Sequence, residues 1–130
     1  MKKTLVTIKD LKEGGFVVID DVPCRIEKVS ISTVGKHGAA KCRIEAIGVF
    51  DRKRRSIVKP ADDQVEVPII EKKLAQVLAF LGEDRVQLMD LQDYSVFELE
   101  IPEELKGKLE QGKEVNYFEI MGIKTLKQIK

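Results

Sequence analysis

Tryptophan is missing from this chain of 130 residues, histidine occurs once and cysteine twice. Five phenylalanines and two tyrosines are its whole aromatic content, so a core drawn from the 43% hydrophobic residues is expected to rest on Ile, Val and Leu. No apolar run approaches the ~20 residues that cross a bilayer as a helix, and no membrane partner is expected. The start, Met1-Lys2-Lys3-Thr4-Leu5, is basic but has neither the apolar stretch nor the cleavage site of a secretory leader. A cytoplasmic, reducing setting is therefore expected, with Cys24 and Cys42 as free, small, buried side chains. Their spacing excludes a zinc ribbon, which needs paired Cys-x-x-Cys ligands.

The catalytic inventory is equally thin. The chain has no Gly-x-Ser-x-Gly elbow, no Gly-x-Gly-x-x-Gly fingerprint and no phosphate loop ending in Gly-Lys-Ser/Thr. His37 has no second or third metal ligand near it in sequence. A Cys–His nucleophile pair would have to draw its thiol from a strand-like run. Carboxylates are scattered among lysines, as on solvated faces. The expectation is a protein that is not an enzyme and carries no cofactor or metal.

What the chain does have is short β-like runs. Residues 5–8, 16–19, 25–33, 41–50, 57–58 and 64–67 read as strands parted by turn signals such as Glu13-Gly14-Gly15 and Asp20-Asp21-Val22-Pro23. Strands at this spacing suggest a small β-barrel. Pro68 marks the best boundary, because proline removes a ladder donor and the charge balance changes there. Residues 1–68 hold 14 Lys/Arg against 10 Asp/Glu, and residues 69–130 hold 9 against 12. The surplus of positive charge in the first half suggests a nucleic-acid face there.

In the second half, residues 85–91, 94–101, 114–121 and 123–129 read as strands. Phe97, Leu99 and Ile101 share one side, and Glu98 and Glu100 the other. Pro102-Glu103-Glu104-Leu105 reads as the start of a short helix ending near Gln111-Gly112. Tyr94, Phe97, Tyr117 and Phe118 are expected in or beside the core. Over residues 71–82, Leu74, Val77, Leu78 and Leu81 fall at helical spacing before Gly82, which by itself predicts an amphipathic helix.

The most telling string is Ser32-Thr33-Val34-Gly35-Lys36-His37-Gly38-Ala39-Ala40-Lys41. Two strand-like runs flank it, and Gly35 and Gly38 can take positive φ at a tight hairpin tip. The nearest acids in sequence, Glu27 and Glu45, lie well back in the flanking runs, so Lys36 is a lone cation at the end of a finger. The tetrapeptide alone fits better an ordinary hairpin turn whose lysine only keeps the loop soluble.

The wider string resembles the signature of the translation initiation factor 5A family, in which Gly-Lys-His-Gly precedes a small residue, Ala and Lys. Here these are Gly35, Lys36, His37, Gly38, Ala39, Ala40 and Lys41, with Pro23-Cys24-Arg25-Ile26 upstream. The eukaryotic branch usually has lysine and threonine where this chain has Thr33 and Val34, and often a second histidine at Ala39. The chain is therefore more similar to the archaeal branch. The resemblance implies an SH3-like β-barrel over residues 1–68 carrying the hairpin, followed by an OB-fold barrel with one short helix over residues 69–130. That makes the segment 71–82 a first strand, against its local periodicity.

The resemblance also implies that Lys36 is converted to hypusine, by an aminobutyl group from spermidine attached by deoxyhypusine synthase. The product is a long dicationic probe, suited to phosphate and sugar oxygens rather than to base edges. The implied partners are the ribosome and the acceptor end of peptidyl transfer RNA, and the implied task is peptide-bond formation at stalled sites such as consecutive prolines. Gly35 and Gly38 would shape the tip. His37, Lys41 and Arg43 would meet RNA or the modifying enzyme, and Arg52, Lys53, Arg54 and Arg55 are candidates for ribosomal RNA phosphate. A monomer is expected.

Overall fold

The computed structural model describes residues 3–33 and 40–129. The chain divides into two compact units, Met1–Ile69 and Ile70–Lys130.

In the first unit β1 (Lys3–Thr7) pairs antiparallel with β6 (Gln64–Pro68). A four-stranded sheet runs in the order β2 (Phe16–Ile19), β3 (Val22–Ser32), β4 (Lys41–Gly48), β5 (Arg54–Pro60). Along β4 burial alternates strictly on one side: Cys42, Ile44, Ala46 and Gly48 face inward, while Lys41 and Arg43 face solvent. Period-two side-chain alternation requires this once one face is packed. Ile8, Val17, Ile19, Cys24, Ile26 and Val65 complete the core with them. A bulge between Ile26 and Lys28 inserts Glu27 into β3, where its carboxylate accepts from Arg54 Nη1 at 2.6 Å.

The turn after β4 is clamped. Arg55 Nη2 and Nη1 donate to Asp51 Oδ2 and Oδ1 at 2.8 and 3.1 Å, and the backbone N–H of Lys53 donates to Asp51 Oδ1 at 2.9 Å. The Arg55 guanidinium, with that N–H second, holds the Asp51 carboxyl down at about 2. Strand β5 therefore begins at Arg54, inside a stretch that reads in sequence as a polar connection over residues 51–56.

The second unit is a five-stranded sheet in the order β11-β10-β7-β8-β9, and β11 also contacts β9, which curls it into a barrel. The strands are β7 (Ile70–Leu81), β8 (Arg85–Asp90), β9 (Val96–Glu100), β10 (Glu114–Ile120) and β11 (Ile123–Thr125). Strand β7 overrules the helical spacing of residues 71–82. It lies between β8 and β10, so its backbone groups are bonded on both sides. Its buried residues are Ala75 and Val77, two apart, while Leu74 and Leu81 are each 40% exposed. A bulge between Val77 and Ala79 shifts the phase of the strand, and the four residues at helical spacing do not share a face.

The short helix expected after Pro102 is a single 3-10 turn, Glu103–Leu105, because Gly107 takes φ 77° and reverses the chain. The strand expected over residues 123–129 stops at Thr125, where Leu126 leaves the ladder to fill the core. Tyr94, expected in or beside the core, is 69% exposed, on a turn where it takes φ 62°.

Tyr117 is the one large polar side chain of this core. Its hydroxyl donates to Asp90 Oδ2, while Asp90 Oδ1 accepts from the N–H groups of Gln92 and Asp93 at 2.7 and 3.0 Å. The Tyr117 bond is the largest cause holding Asp90 at about 2. Burial, then this bond, pushes the Tyr117 hydroxyl up.

Two outcomes follow for stability. A Cβ at Gly48 would collide with Asp51 Oδ1 and sit 2.9 Å from Arg55 Nη1, so Gly48→Ala is expected to lower the melting temperature. In an Asp51→Ala background the same change should cost much less, which a thermal double-mutant cycle checks. In the second unit, Tyr117→Phe should cost roughly 1–3 kcal/mol near neutral pH. Because Asp90 is depressed in the fold, its contribution is present above the unfolded-state value of about 4 and drains as pH falls toward about 2. Tyr117→Phe should shrink that acid-dependent loss. Denaturant titrations across this range measure it, and an unchanged pH slope would contradict the assignment.

Candidate functional site

Residues 34–39 lie outside the described residues, so Gly35, Lys36, His37 and Gly38, and the tight tip read from them, do too. The structure describes the two strands that lead into them. Strands β3 and β4 stay in register to the end of the pair, with Ser30 opposite Arg43 and Ser32 opposite Lys41. On its other side β4 is laced to β5, Lys41 opposite Pro60 and Arg43 opposite Val58. Beyond Lys41, Ala40 is tied down where its carbonyl accepts from Ala61 N–H at 2.8 Å. The base of the finger is thus braced along its length by Cys42 and Ile44, both fully buried beneath it.

Lys41 and Arg43 project from the outer face of this sheet. Their cross-strand neighbours, Ser32, Ser30, Pro60 and Val58, offer no charge, and neither cation forms an ion pair with a described residue. They lie on the exposed side of β4, the strand that follows residues 34–39 in the chain.

The Arg52–Arg55 cluster divides. Arg55 is committed to the Asp51 clamp, its side chain only 18% exposed, and Arg54 bonds Glu27. Arg52 and Lys53 remain exposed, with no ion pair to a described residue. Arg52 sits at the turn with φ 63°. The i,i+4 spacing of Asp51 and Arg55 was the available sequence signal for the clamp. No such signal existed for Arg54, whose partner is 27 residues away.

Both thiols are fully buried and free. Cys24 Sγ lies 3.3 Å from the Val22 carbonyl oxygen, and Cys42 Sγ 3.8 Å from that of Ile8. Burial pushes both thiols up, at Cys24 against the nearby Arg55 charge. Among the described residues no group of three or more His, Cys, Asp or Glu side chains could hold a metal ion, and no helix is long and apolar enough to cross a membrane.

Taken together, the described residues form a small all-β protein of two units with a basic, braced hairpin on the first. The comparisons with known proteins agree with that class and refine it. Residues 3–63 match the family "Translation initiation factor 5A-like, N-terminal". Residues 69–130 match "Eukaryotic elongation factor 5A hypusine, DNA-binding OB fold". The chain is 53% identical over 127 residues to translation initiation factor 5A of Archaeoglobus fulgidus, covering 98% of each chain. It is 58% identical over 115 residues to that of Methanocella arvoryzae, covering 88% of this chain and 89% of the other. The solved structure of the factor from Methanococcus jannaschii superimposes with TM-score 0.82 at 47% identity, covering 95% of this chain and 91% of that one. The chain belongs to the translation initiation factor 5A family, and its role is that of a translation factor.

Thiol titration checks the reading of the cysteines. Neither Cys24 nor Cys42 should react with an aromatic disulfide reagent in the native state, and both should in denaturant. Replacing both by alanine should lower stability and leave translation-factor activity in place. Loss of activity in a folded double variant would revive a thiol enzyme.

Proposed function

We propose that this factor binds the ribosome and promotes peptide-bond formation through a hypusine-type side chain at Lys36. The carrying observation is the Gly35–Lys41 string between β3 and β4, in a chain whose first unit matches the N-terminal domain of the translation initiation factor 5A family and whose second matches that family's hypusine-named OB fold. Deoxyhypusine synthase would move the aminobutyl group of spermidine onto the Lys36 nitrogen, breaking its bond to spermidine's secondary nitrogen and releasing 1,3-diaminopropane. An unmodified lysine reaches about six ångströms from its Cα. The addition nearly doubles that reach and adds a second cationic nitrogen.

The fold supplies what such a probe needs. A finger that bent freely would lose the benefit of its length, since each ordered contact would carry an entropic cost. Here β4 is held on both edges and from beneath. Lys41 and Arg43, and Arg52 and Lys53 at the next turn, are cations able to meet RNA phosphate while the probe enters a narrow cleft. The probe would contact the acceptor end of peptidyl transfer RNA. The factor then acts by orientation and the ribosome supplies the chemistry. Aligning a misplaced donor is a proximity effect, worth roughly 7–11 kcal/mol of barrier at its extreme. Consecutive prolines, whose donors align poorly, are the expected point of greatest need. The factor is expected to act as a monomer without a cofactor of its own.

Mass spectrometry of the peptide spanning Lys36, from protein made in its native host, should show the added aminobutyl group, with or without a hydroxyl. Lys36→Arg should abolish stimulation of peptidyl transfer on proline-rich messages. If the arginine variant keeps most activity and the native peptide is unmodified, the residue is a plain phosphate contact in an RNA-binding module instead.

A further inference from the structure

The second unit carries an apolar groove that the hairpin reading does not use. Its volume is about 350 Å³, and Phe80, Ile101, Leu105 and Leu109 line it, with Gly82 and Gly107 at its walls. Phe80 is 45% exposed near the end of β7. A Cβ at either glycine would meet nothing within 4 Å, so neither wall closes over the floor. A groove this size, at the low end for bound small molecules, admits one or two large side chains.

The surroundings select the occupant. Two charged residues line it, Glu83 and Lys106. Lys106 is already neutralised between Asp84 and Glu103, at 3.4 and 3.3 Å, so three carboxylates stand against one lysine. Glu83 forms no ion pair with a described residue. An apolar floor under a net negative rim repels phosphate and attracts cations beside an apolar anchor. We propose that this groove is a docking site for a basic protein segment, one that inserts an aromatic or large aliphatic side chain over Phe80 and lays flanking Lys or Arg against the rim. It would give the second unit a protein partner, separate from any RNA contact of the first.

The test uses the full chain with Lys36 unmodified, so its outcome is independent of the hypusine reading. The probe is a lysine-rich hexapeptide with one central phenylalanine, titrated into isotopically labelled protein while backbone amide signals are followed. Shifts are expected at Phe80, Gly82, Leu105, Gly107 and Leu109. Phe80→Ser, an exposed substitution that should leave the fold intact, should weaken binding about tenfold, the effect of losing one apolar anchor. Glu83→Lys should weaken it at low salt. Equal shifts with a glycine-lysine peptide or with an acidic peptide would overturn the proposal. So would shifts that map elsewhere, the same shifts from single-stranded RNA, or groove shifts that grow with protein concentration alone, which would mark a contact between copies.

Discussion

Everything in the first unit depends on β4 being paired along both edges while one of its faces is sealed. Its inward residues, Cys42, Ile44 and Ala46, are at or near zero exposure. Because side chains alternate, the same packing that buries them drives Lys41 and Arg43 outward. Burial of small apolar groups and display of cations are therefore one constraint. A one-residue slip of β4 would put both cations into the core, at a desolvation cost no core could meet. The register that stabilises the unit is also what displays Lys41 and Arg43 to solvent.

The second unit solves a different problem with a similar economy of means. It holds five of the chain's seven aromatics, yet its buried cluster rests on Ala75, Val77, Val86, Leu88, Ile101 and Leu126, with Tyr117 the aromatic among them. A buried phenol needs a partner, and Asp90 supplies one while tying the turn after β8 with its other oxygen. Phe97 lies against the same ring, the centroids 4.9 Å apart. The opposite end of this barrel leaves Phe80 uncovered. The contrast between a satisfied tyrosine and an exposed phenylalanine marks which aromatic serves the fold.

Charge placement shows where reading by composition falls short. Arg52-Lys53-Arg54-Arg55 looks like a uniform basic cluster. In the folded chain two of the four are spent internally, one on Asp51 and one on the bulged Glu27. Only Arg52 and Lys53 keep their charge for something else. The surplus of lysine and arginine in the first half is real, but less of it is unpaired than counting suggests.

Read alone, the sequence determined the elements whose signals are local. The strand-like run at residues 41–50, the turn at Glu13-Gly14-Gly15 and the Gly35–Lys41 string needed no neighbours to be noticed, because residue type and motif spacing are written along the chain. Tertiary structure decided the rest. Residues 71–82 carry helical spacing and form a central strand, because pairing with β8 and β10 satisfies their backbone and a bulge absorbs the phase error. The helix after Pro102 shrank to one 3-10 turn where Gly107 reversed the chain. Which arginines are free, which tyrosine is buried and where a groove opens all depend on residues brought together from distant positions, and local patterning carries no record of those meetings.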